Sequence, residues 1–139
     1  MLEIKLNNMT SDRKTVGLFL EELHNIIDSD TFSIERNLSV ILKNKPDDIK
    51  HSTPYTLIDL GFDVEDIVPV IRHLSIEDYS ETLYDDKDEN PPLLYVFGTE
   101  INNKQIYIKL KIKKKKSKYI LCLSFHYAAH DMSFPYSSK

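Results

Sequence analysis

The last third of the chain gathers the residue types of proton transfer and anion binding. Tyr107, Lys109 and Lys111 alternate through K-Q-I-Y-I-K-L-K-I (104–112), and Ser124 precedes His126 in S-F-H. An imidazole can accept or give up a proton near neutral pH, and lysines stabilise charge as it develops. Pairing Lys113 with Lys118 across a K-K-K-S loop (114–117) opposes Tyr107 to Ser124, Lys109 to Cys122, Lys111 to Ile120 and Gln105 to His126. Opposed residues point the same way. One face would then carry Tyr107, Lys109, Lys111, Ser124 and His126. The other would carry Ile106, Ile108, Leu110 and Ile112 with Tyr119, Leu121, Leu123 and Phe125. A one-residue slip would set lysines against Leu121, Leu123 and Phe125, so the first register is expected. A face of donors with no carboxylate among them suits a phosphate-bearing ligand, although the wet side of a half-covered sheet has the same pattern.

His130 follows His126 by four residues, a spacing that holds a metal when both imidazoles share a helix face. Here the first histidine ends an expected strand, and no glutamate or cysteine partner follows. No metal and no cofactor are therefore expected. Cys122 is the one cysteine, no apolar run approaches the roughly 18–20 residues of a membrane span, and M-L-E-I-K-L-N-N-M-T lacks the pattern of a signal peptide. A cytoplasmic protein is expected.

The net charge of −4 conceals a division. Residues 1–99 carry 9 Lys/Arg against 20 Asp/Glu, whereas residues 100–139 carry 9 lysines against only Glu100 and Asp131. A field so divided draws an anion to the C-terminal segment even though the whole chain repels one.

The elements that must position these residues read as one domain spanning 1–139. In S-D-R-K-T-V-G-L-F-L-E-E-L-H-N-I-I-D (11–28), Ser11 can cap a helix whose apolar face is Val16, Phe19, Leu20, Leu23 and Ile27. T-F-S-I (31–34) reads as a short strand and E-R-N-L-S-V-I-L-K-N (35–44) as a helix stopped by Pro46. Thr53, Pro54 and Gly61 frame a further helix. The next begins at Asp63, with Pro69 forcing a kink or a late start. Ser75 and Asp78 resemble a capping box opening a helix over 76–86, and 85–92 is an acidic loop. From residue 93 the period changes to two, giving strands at 93–101, with Gly98 marking a bulge, then 104–112 and 118–126. Helices first and strands last imply an α+β fold, with helices packed on one side of an antiparallel sheet.

L-G-F-D-V-E-D-I-V-P-V-I-R-H-L-S-I-E-D-Y (60–79), followed by F-G-x-E-I-x-x-K-x-x-Y-I-K-x-K-I from Phe97 and by S-F-H with a terminal P-Y, resembles the MqsR-type toxins of type II toxin–antitoxin systems. The resemblance covers residues 60–136. It implies a RelE-like fold, with N-terminal helices on a twisted sheet, and an endoribonuclease (mRNA interferase) that cuts messenger RNA without a metal. It also implies a cognate antitoxin as protein partner. Tyr107 and Lys109 match the family's Y-x-K positions, and His126 stands where better-known members carry a lysine. Glu81 and Leu94 replace that family's helix lysine and a glutamine before the strand pair.

The chemistry implied is attack of a ribose 2′-hydroxyl on the adjacent phosphodiester. His126 would serve as acid or base, Lys109 as electrostatic stabiliser, and Tyr107 as orienter or proton donor. Lys111, Lys113, Ser124 and the 114–118 loop would bind flanking phosphates, with Arg36 as a further phosphate contact and Tyr136 stacking a base. The alternative is a non-catalytic RNA- or protein-binding module. The helical region is acidic and offers no basic recognition helix, so neither DNA nor a membrane is expected as a partner.

Overall fold

The computed structural model describes residues 8–88 and 93–138. Helix α1 spans Arg13–Asp28, and Asp12 rather than Ser11 caps it, accepting from the Thr15 amide at 2.8 Å. Its apolar stripe buries Val16, Phe19, Leu20, Leu23 and Ile26 against one face of a sheet, where Phe19 stacks on Tyr95 with ring centroids 4.2 Å apart. Six strands form that sheet: β1 (Asn8–Met9), β2 (Leu38–Val40), β3 (Tyr79–Tyr84), β4 (Leu93–Ile101), β5 (Lys104–Lys114) and β6 (Lys118–Tyr127). Their order is β1-β3-β4-β5-β6-β2. All neighbours are antiparallel except β2, which runs parallel to β6. The result is an α+β fold with a mostly antiparallel open sheet. No helix among the described residues is long and apolar enough to cross a membrane.

Three further helices complete the layer: α2 (Ile34–Asn37), α3 (Thr53–Leu60) and α4 (Ile67–Arg72). Ser52 caps α3 through the Tyr55 amide, and Gly61 ends it in the left-handed region at φ 71°. That conformation is one glycine adopts without a Cβ penalty. Asp63 and Asp66 form a capping box around a single 3-10 turn, so α4 begins only at Ile67. Pro69 thus falls in the first turn, where its missing N–H leaves no bond unmade. Helix α3 also finishes the edge of β6. Thr53 Oγ1 accepts from the Phe125 amide and Thr56 Oγ1 from the Tyr127 amide, both at 3.0 Å.

Four local expectations are corrected. Residues 31–34 form no strand, because Ser33 caps the single turn of α2. The apolar residues of 35–44 serve β2 rather than a helix; Leu38 pairs with Ile120 and Val40 with Cys122. The Ser75–Asp78 capping box exists but closes only one 3-10 turn before β3 begins at Tyr79. Gly98 marks no bulge, since its pairing with Tyr107 is unbroken. It is small because a Cβ there would lie 2.8 Å from Phe134 Cζ and 2.9 Å from Met132 Sδ, which fold back over β4.

Candidate functional site

The β5–β6 register departs from expectation in a way that shapes the site. Near the loop Lys114 pairs with Lys118, Lys113 with Tyr119, Lys111 with Leu121 and Leu110 with Cys122. Past a bulge the pairs become Lys109 with Ser124 and Tyr107 with His126. Leu123 is the extra residue, so it and Ser124 both face the surface turned away from α1. The loop half therefore adopts the one-residue slip, with Ile120 and Cys122 in the core instead of Leu121 and Leu123. The cost of setting Lys111 beside Leu121 is met by Asp85 and Asp88, each 3.1 Å from its ammonium. Beyond the bulge Tyr107, Lys109, Ser124 and His126 do share one face.

Two cross-strand rows build the site on that face. Glu81, Val96, Lys109 and Ser124 are successive partners across β3 to β6, and Gly98, Tyr107 and His126 form the next row. Glu81, Tyr107, Lys109, Ser124 and His126 from these rows floor a cleft of about 1160 Å³. Its walls come from the crossover after β2, carrying Lys43 and Lys45, and from the C-terminal segment with His130 and Met132. The face is not free of carboxylates as expected, because Glu81 lies on β3 in the same cleft, held by Asn8 Nδ2 at 2.9 Å. Position 81 is thus a strand residue, and Leu94 is buried on β4.

His126 is only 7% exposed. Its ring stacks on Tyr107 with centroids 5.1 Å apart and an 11° interplanar angle. Nδ1 lies 2.9 Å from the Tyr127 carbonyl, an oxygen that can only accept, so Nδ1 carries the proton. Nε2 therefore presents its lone pair to the cleft, where the Lys45 ammonium donates to it at 3.3 Å. Burial holds the His126 pKa below its ordinary 6.5, and Lys45, Lys109 and His51 push the same way against the Tyr127 carbonyl. The ring is neutral at pH 7 and suited to accept a proton.

Its neighbours are tuned as well. Burial, reinforced by Glu81, pushes the Tyr107 phenol up to about 12, so it keeps its proton. Burial also lowers the Lys109 pKa, with Lys45 and Lys43 adding repulsion while Asp85 and Glu81 oppose it.

The other expected site residues divide. Ser124 lines the cleft. Lys111 does not reach it as a free cation: it is 1% exposed and bound by Asp85 and Asp88. Lys113 is paired with Asp88 at 2.7 Å. Tyr136 is a clasp rather than an open stacking platform. Its hydroxyl donates to the Ser11 carbonyl at 2.7 Å, one ring face stacks on Tyr79, and the Arg13 guanidinium covers it at 4.8 Å. Arg36 lies on α2, donates to the Thr31 carbonyl, and is not among the residues lining the cleft. Sequence reasoning missed Lys45, in a polar loop, and Lys43, at the end of a segment read as a helix; both follow β2, whose parallel pairing with β6 brings them to the site.

Among the described residues no group of three His, Cys, Asp or Glu side chains is arranged to hold a metal ion. His126 and His130 both border the cleft, but both ring nitrogens of His126 already have partners. What converges is a neutral base, a half-buried phenol, lysines and the carboxylates of Glu81 and Asp131. No protein-family description, curated protein or solved structure matches this chain.

Proposed function

We propose that this protein is a metal-independent endoribonuclease acting on messenger RNA, with a RelE-like fold, and the toxin of a type II toxin–antitoxin pair held in check by a cognate antitoxin. The observation that carries the reading is the neutral His126, with Nε2 toward a cleft that also holds Lys109 and Tyr107. In the reaction His126 Nε2 takes the proton of a ribose 2′-hydroxyl, and the 2′-oxygen bonds to the adjacent phosphorus. Lys109 stabilises the charge on the non-bridging oxygens, which develops in a largely desolvated site. The bond to the 5′-oxygen breaks, and Tyr107 gives that oxygen its proton while stacking to orient the imidazole. The products are a 2′,3′-cyclic phosphate and a 5′-hydroxyl.

Incubation of the purified protein with single-stranded RNA tests this. Cleavage is expected, and His126→Ala and Lys109→Ala should each slow it by orders of magnitude. RNA that binds but stays intact would favour the non-catalytic binding module instead.

A further inference from the structure

Lys45 Nζ has two acceptors, the His51 carbonyl at 2.9 Å and His126 Nε2 at 3.3 Å. Among the described residues no carboxylate lies within ion-pair distance of Lys43, Lys45 or Lys109, in contrast to Lys111, Lys113 and Lys118. An ammonium donating to a neutral ring nitrogen and a peptide carbonyl would bind an anionic oxygen more strongly, since the anion adds Coulomb attraction between opposite charges to the same donor bond. The same contact occupies the lone pair that a general base must use.

We propose that Lys43, Lys45 and Lys109 form a phosphate site whose movable member, Lys45, gates His126. In the arrangement described, the Lys45 ammonium covers Nε2. A phosphodiester seated among the three lysines draws that ammonium onto its oxygens and frees Nε2 for the 2′-hydroxyl. The base is thereby exposed by the substrate's own phosphate. Lys45 is a positioning residue, and its role rests on the reading of His126 as the base.

Phosphate binding and His126 protonation must then be coupled, reciprocally. Burial, the Tyr127 carbonyl, Lys45 and His51 from the crossover and Lys109 from β5 govern that titration, and Lys43, Glu81, Tyr107, His130 and Asp131 line the same cleft.

Nitrogen-15 NMR of the histidine side chains in the full chain, with inorganic phosphate as probe, tests the coupling. Phosphate should move the His126 midpoint to higher pH. Lys45→Met should raise that midpoint without phosphate and weaken phosphate binding several-fold, and Lys45→Arg should keep the binding. The wild-type titration stands even if Lys45→Met fails to fold. Phosphate binding that leaves the His126 midpoint unmoved overturns the proposal. So does a folded Lys45→Met protein that titrates and binds phosphate like the wild type. Intact RNA alongside a preserved linkage would remove the nuclease reading and leave the phosphate site standing.

Discussion

The two ends of one hairpin use lysine in opposite ways. Lys111 and Lys113 sit near the loop end of β5, where the acidic segment after β3 neutralises them through Asp85 and Asp88. Lys109 lies one pleat further along the same face, beyond the Leu123 bulge, with no carboxylate in ion-pair distance among the described residues. Strand position and side-chain direction are nearly the same, yet one end is an ion-pair network and the other opens into the cleft of the proposed site. What separates them is which neighbouring segment folds over each end. An acidic loop covers the first, and a lysine-bearing crossover borders the second.

The largest effect should be on the open end. Removing the imidazole in His126→Ala should lower RNA cleavage by about 10²–10⁴-fold, the usual contribution of a positioned acid–base group. Lys113→Ala, whose charge is already spent on Asp88, should change the rate little. Comparable losses from both would erase the contrast between the two ends, and single-turnover kinetics would show it.

The paired end should instead carry stability. Lys111→Ala leaves Asp85 and Asp88 without their buried ammonium, and should cost about 3 kcal/mol in denaturant unfolding. That is the low end for breaking a buried pair, because both carboxylates keep some access to water. Lys111→Met, which preserves the packed stem, should still lose the ion pairs but leave cleavage near wild type.

Gly98→Ala should have a smaller consequence. The new methyl meets Phe134 Cζ and Met132 Sδ, both far ends of side chains that can shift, so about 1 kcal/mol is expected, at the low end of overpacking. Met132 also lines the cleft, so the same variant should weaken RNA binding measurably.

Acid should distinguish the ends most subtly. Burial pushes the Asp85 carboxyl up, but the Lys87 amide and the Lys111 ammonium outweigh it, and its pKa falls below the ordinary 3.8. A carboxylate depressed by folding stabilises above its unfolded pKa. That contribution should disappear as pH falls below 3.8, a loss smaller in Lys111→Ala, where only the Lys87 amide still lowers the pKa. At the open end the requirement is for neutral His126, so the acidic limb of kcat/KM should have its midpoint below 6.5.

Much of this contrast was legible in the chain, though not its decisive parts. Helix α1 and strands β4 to β6 announce themselves because each buries one face with a clean local period. Strands β2 and β3 do not. Leu38, Ile41 and Leu42 fit a helix as well as an edge strand, and the capping residues Ser75 and Asp78 open a turn too short to propagate. The grouping of Tyr107, Lys109, Ser124 and His126 survived an error in register because Leu123 restores the parity past the bulge. Lys111 was misassigned for the same reason, since alternation cannot reveal that Asp85 and Asp88 will reach across to it. Lys45 and Glu81 come to the cleft through pairings between segments far apart in sequence, which no local pattern encodes.

The most direct test is the chemistry of the RNA ends. In the presence of a chelator, the wild-type protein should cut single-stranded RNA to leave 2′,3′-cyclic phosphates and 5′-hydroxyls. A 2′-deoxy substitution at the cut site should block that cut, and His126→Ala should slow cleavage by about 10²–10⁴-fold. Cleavage undiminished in His126→Ala, cleavage across a 2′-deoxy site, or RNA left intact by folded wild-type protein would contradict the account.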